Sequence, residues 1–175
     1  MAFVVRFLIS VSERRGKMAI YRPKHRFRRV TGITPEDVRA VGGKALILDV
    51  DNTLSTHGSQ KPLKGVPEWI EKMQAEGLPM VIVSNNRAER IAPFAKRLGL
   101  PYVENGRKPL PYGFRRACVL LGVPPKDTVV IGDQLFTDLI GGKYFGAKVF
   151  LTKPIRPEGT VFFRLKRWLE RFIIE

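Results

Sequence analysis

At 175 residues with 44% hydrophobic side chains, the chain has the length of one domain and enough apolar mass for a full core. Its one cysteine excludes an internal disulfide and a zinc cluster, and no run approaches the roughly 20 apolar residues of a spanning helix. The formal net charge of +15 predicts attraction to polyanions, either nucleic acid or an anionic membrane surface.

Charge is concentrated at the ends: residues 1–30 hold nine Lys and Arg against Glu13, and residues 153–175 hold six against three acids. The opening MAFVVRFLIS is interrupted by Arg6, and its basic cluster follows the apolar part where a signal peptide would have it precede. Residues 1–17 are expected to be a disordered tail, or to precede a true start at Met18. Residues 18–44 form a basic segment, either solvated or lying against acidic lipid or nucleic acid, followed by a short helix. Thr34-Pro35-Glu36-Asp37 starts that helix with a capping hydroxyl, a first-turn proline and two acids.

Residues 45–54, ALILDVDNTL, form an apolar run that ends abruptly in carboxylates, the pattern of a buried parallel strand opening into a site. Asp49 and Asp51, two positions apart, project the same way. Their repulsion calls for a magnesium ion and a lysine, and together they would supply a nucleophile beside a proton donor and acceptor. A calcium loop counted from Asp49 fails, because its sixth and twelfth places hold Leu54 and Gln60. Further strands are predicted over 79–83, 101–103, 128–133 and 147–151, and helices over 66–76, 87–98, 112–121 and 137–144. Asn86 is placed to cap the helix from residue 87. This alternation predicts a mainly parallel five-stranded sheet with helices on both faces.

The conspicuous polar residues all fall at the carboxyl ends of these strands, where open α/β sheets bind ligands: Asp49 and Asp51, then Ser84, Lys108, and Asp133 with Asp138. In this order DVDNT, VSNN, RKP and GDQLFTD resemble the four motifs of the haloacid dehalogenase (HAD) superfamily over residues 45–151. ITPEDV, LDVDNTL, IVSNN, GRKP, VVIGDQLFTD and the terminal FFRLKRWLER extend the resemblance to the capless subfamily IIIA. Within it they resemble the YqeG-like branch related to phosphatidylglycerophosphate phosphatases.

That resemblance implies a HAD-like Rossmannoid three-layer sandwich without a cap, its hydrolase core at 45–152, and a phosphomonoester hydrolase that works through an aspartyl-phosphate. It implies Asp49 as nucleophile and Asp51 as acid and base. Mg2+ would be held by Asp49, the Asp51 carbonyl and Asp133, with Asp138 orienting Lys108 or metal-bound water. Ser84, Asn85 and Lys108 would hold the phosphate.

Neither gap that carries a cap in relatives has room here, so the site is expected to be open to a phosphate on something large. Residues 153–175 form a basic amphipathic segment, with Phe162, Leu165, Trp168, Leu169 and Phe172 on one helical face; it either lies on a membrane or packs on the sheet. The expectation is a cytoplasmic enzyme, peripheral at the inner membrane face, that dephosphorylates phosphatidylglycerophosphate, an anionic phospholipid. The alternatives are a phosphatase for nucleic-acid ends or a small phosphometabolite, and a nucleic-acid- or ribosome-binding protein.

Overall fold

The computed structural model describes residues 23–155. Its strands are His25–Phe27 (β1), Ala45–Leu48 (β2), Met80–Val83 (β3), Tyr102–Val103 (β4), Thr128–Gly132 (β5) and Lys148–Thr152 (β6). All pairings are parallel and the order is β1-β6-β5-β2-β3-β4. The sheet therefore has six strands where five were expected. The addition comes from the basic segment: the rings of His25 and Phe27 pack on Phe150 with centroids 5.1 and 5.0 Å away, while Arg26 between them faces outward. Three residues of alternation are too few to stand out in a sequence.

The helices are Pro35–Ala40 (α1), Val66–Ala75 (α2), Ala88–Arg97 (α3), Pro111–Leu121 (α4) and Gly141–Phe145 (α5). The Thr34 hydroxyl accepts from the Asp37 N–H while the Asp37 carboxylate accepts from the Thr34 N–H, so α1 starts on a reciprocal cap. The period of two along β2 divides the core. Leu46 and Leu48 face Val38, Trp69, Ile70 and Phe94 of α1 to α3, whereas Ile47 faces Phe114 of α4 and Leu139 on the other side. Trp69, buried among them, donates its indole N–H to the Ile33 carbonyl at 2.8 Å. Cys118 is a buried free thiol in this second layer.

Only residues 49–65 separate β2 from α2, and one helix fills the path from β3 to β4, so the described chain carries no cap. Strand order reverses at β2, with β3 and β4 added on one side and β5 and β6 on the other. That makes the carboxyl end of β2 the natural ligand crevice. No helix among the described residues is long and apolar enough to cross a membrane. Residues 1–22 and the amphipathic stretch within 153–175 from residue 156 onward lie outside the described residues.

Candidate active site

Strand register brings the site together. Leu48 pairs with Ile82 of β3 and with Ile131 of β5, so the three chains leave the sheet at one level. Asp49 and Asp51 follow β2, Ser84 follows β3, and Asp133 follows β5; each is at most 8% exposed. Asp49 keeps one ladder bond, its N–H donating to the Ile131 carbonyl at 2.9 Å.

Lys108 arrives from the β4–α4 loop. The Asn85 side chain clamps the loop by accepting from the Lys108 N–H at 2.7 Å and donating to its carbonyl at 3.0 Å. The ammonium is then buried between two carboxylates, 2.5 Å from Asp49 Oδ1 and 2.7 Å from Asp138 Oδ1. Asp138 comes from a single π-helical turn, Leu135–Ile140, where an α-helix from residue 137 was expected. Its second oxygen accepts from the Gln134 N–H at 3.2 Å. The turn fits because residue 132 is glycine: a Cβ there would lie 2.3 Å from the Asp138 carboxylate.

Burial, reinforced by Asp138 and Asp51, pushes the Asp49 carboxyl up to about 7 despite the opposing pull of Lys108. For Lys108, burial works against the charged form, but Asp138 and Asp49 outweigh it and its pKa rises. The pair is thus an ammonium held firmly charged beside a carboxyl whose proton is labile near neutrality.

Oxygens of Asp49, Asp133 and Asp138 lie within 4.8 Å of one another, and Asp49 Oδ2 is buried with no protein hydrogen-bond partner. Three carboxylates against one ammonium leave an excess of negative charge around that oxygen. A hard divalent cation that takes oxygen ligands and retains waters suits this donor set. Both oxygens of Asp138 already accept hydrogen bonds, which leaves Asp49 and Asp133 as the ligand carboxylates best suited to it.

The carboxylates of the two aspartates of the first motif do not share the lysine that was expected to serve both: Lys108 pairs with Asp49 and Arg90 with Asp51. Asp51 Oδ1 accepts from the Gly58 N–H at 2.9 Å and from Arg90 at 3.0 Å, and Oδ2 accepts from the Asn86 amide at 2.7 Å. Arg90 also donates to the Ser59 carbonyl at 2.8 Å and lies over the Phe94 ring, tying the 55–62 loop to α3. Asn86 additionally donates its N–H to the Ser84 hydroxyl at 3.1 Å. The expected cap at Asn86 is therefore corrected: α3 begins one residue later with Arg87 at its N-cap position, because the Asn86 amide is engaged with Asp51 and Ser84. Asn86 and Arg90 are the site residues missed in the sequence. Arg87 and Arg90 sit on successive parts of one turn, and nothing in the local pattern says which guanidinium turns back to the strand ends.

The family model of the haloacid dehalogenase-like hydrolases matches residues 37–146. The chain belongs to this family. Within it, this HAD hydrolase is 37% identical over 142 residues to the probable phosphatase YqeG of Bacillus subtilis, covering 81% of this chain and 83% of that one. It is also 33% identical over 99 residues to the phosphoglycolate phosphatase of Thiobacillus denitrificans, covering 51% of this chain and 43% of that protein. Among solved structures, a HAD family hydrolase from Deinococcus radiodurans with bound phosphate and sodium shares the fold at a TM-score of 0.55 and 17% identity. That match covers 72% of this HAD hydrolase and 89% of the other chain.

Proposed function

We propose that this HAD-family phosphatase transfers the phosphoryl group to Asp49 and that its substrate is phosphatidylglycerophosphate at a membrane surface. The observation that carries the chemistry is Lys108 gripping Asp49 and Asp138 at the carboxyl end of β2, with Asp133 completing the acidic cluster. Asp49 attacks phosphorus, the P–O bond to the alcohol breaks, and Asp51 gives the departing oxygen its proton. Water then attacks the phosphoaspartate, Asp51 takes the proton, and inorganic phosphate leaves with Asp49 restored. Lys108 offsets charge on the transferring group, while the Ser84 hydroxyl and neighbouring N–H groups, Asn85 among them, hold its oxygens. Asp49, Asp133 and the Asp51 carbonyl would hold Mg2+, which supplies further charge neutralisation at the phosphate. Asp138 orients Lys108.

Two observations support the lipid substrate. No cap covers the strand ends among the described residues, so the phosphate can be presented by a bulky carrier, and the net charge of +15 favours an anionic surface. The expected result is phosphate release from vesicles containing phosphatidylglycerophosphate at a kcat/KM well above that for soluble phosphomonoesters. Equal or better turnover of a nucleic-acid 3′- or 5′-phosphate, with none from the lipid, would replace the lipid with the polymer end.

Arg90 offers a separate test of the role of Asp51. Arg90→Met removes a donor from Asp51 Oδ1 and frees the 55–62 loop. We expect kcat to fall about 10- to 100-fold for an alkyl phosphate, whose leaving oxygen needs a proton, and much less for a nitrophenyl phosphate. An equal loss with both leaving groups would assign Arg90 to the fold alone.

A further inference from the structure

The outward face of α4 is not what a solvated helix presents. Among the described residues five large apolar side chains are exposed, and four of them, Leu110, Tyr112, Val119 and Leu120, lie on this helix or the residue before it. Val119 is 81% exposed and Leu120 55%. At helical spacing from Tyr112, residues 115, 116, 119 and 120 share one side, while Phe114, Ala117 and Cys118 face the core. The exposed set lines a groove of about 600 Å³ together with Arg115 and Arg116. The guanidiniums of Arg107 and Arg116 lie 5.4 and 5.7 Å from the Tyr112 ring centre. The Glu104 carboxylate lies 3.6 Å from Arg116 at the edge of the groove, while the residues that line it include two arginines and no acid. Leu110, which lines the groove, follows the site residue Lys108 by two positions in the chain.

We propose that this face docks on an anionic lipid surface, with Val119 and Leu120 entering the acyl boundary and the arginines meeting headgroup phosphates. Charge selects this occupant. A second copy of the chain carries +15, and the chain's own residues 156–175 hold five Lys and Arg against three acids, so each would bring positive charge to a positive face. Aliphatic side chains flanked by cations match the acyl and phosphate layers of a bilayer, whereas a nucleic acid would call for further stacking aromatics. The proposal rests on the lipid-surface reading above and adds the surface that would bring the open strand ends to the substrate phosphate.

The test is sedimentation of the full chain with vesicles of phosphatidylglycerol and phosphatidylcholine, against phosphatidylcholine alone. The double variant Val119→Asp, Leu120→Asp is compared in parallel. Both positions are exposed, so the fold is retained, and turnover of a soluble aryl phosphate serves as the check. The expected result is binding to the anionic vesicles only, weakened at least about tenfold in the variant while aryl phosphate turnover is unchanged. Undiminished binding by the variant, or no binding by the wild type, overturns the proposal. So does wild-type self-association that the variant abolishes, which would assign the face to a second copy. Binding that the variant loses, with no hydrolysis of phosphatidylglycerophosphate in the same vesicles, sustains the docking face and removes the lipid substrate.

Discussion

Asp49→Asn is expected to lower phosphate release by about 10⁴-fold or more and to abolish the acid-stable, hydroxylamine-sensitive phosphoenzyme formed by the wild type. The amide is isosteric but cannot attack phosphorus. The same variant is expected to be more stable than the wild type in a chelator, by a margin that grows with pH. Burial raises the Asp49 carboxyl from 3.8 to about 7, so between those values the folded chain holds a proton that the unfolded chain has lost. Wild-type stability from this group therefore falls as pH climbs from about 4 to 7 and then levels, a cost the amide avoids. Thermal melts at pH 5, 7 and 8.5, with and without Mg2+, read this directly. Magnesium should narrow or reverse the gap, since only the wild type keeps the Asp49 carboxylate as a ligand. A gap independent of both pH and Mg2+ would place Asp49 outside the cation site.

Lys108→Met is expected to be inactive and also strongly destabilised, by about 3–5 kcal/mol, because it leaves Asp49 and Asp138 facing each other in a buried site without their shared cation. For a chain of this size that corresponds to a fall in Tm on the order of 10 °C. Adding Asp138→Asn should restore part of the stability, since one uncompensated carboxylate is removed, and none of the activity. Additive destabilisation would show that the lysine and Asp138 act independently, whereas recovery of activity as well would reduce the lysine to a counter-ion for Asp138 with no part of its own in turnover. The contrast between the two single variants is informative: both abolish turnover, yet one is expected to relieve a buried charge and the other to expose two.

Much of this was legible in the amino-acid order. Continuous apolar runs such as ALIL, MVIV and TVVIG need burial on both faces, which fixes parallel strands, and the helices between them showed their buried stripes at residues such as Val66, Trp69, Ile70 and Met73. Polar residues at the ends of those strands then have one place to be, the carboxyl edge of the sheet, and that alone brings Asp49, Ser84 and Asp133 to one edge. Lys108 was also readable, as the cation following the third predicted strand.

What the chain alone could not decide depends on groups that meet across space. β1 exists because Phe150 offers its ring to His25 and Phe27, a pairing between segments more than a hundred residues apart. The π turn of Leu135–Ile140 follows from fitting Asp138 over the bare backbone of Gly132 and onto Lys108. Arg90 became part of the site only when α3 packed with its first turn beside the 55–62 loop, giving Asp51 a cation separate from the one that Asp49 shares with Asp138. Periodicity reports which face of an element is buried, and so determined the layers and the strand ends. It carries no information on where a long charged side chain finds its partner, and that was settled by tertiary packing alone.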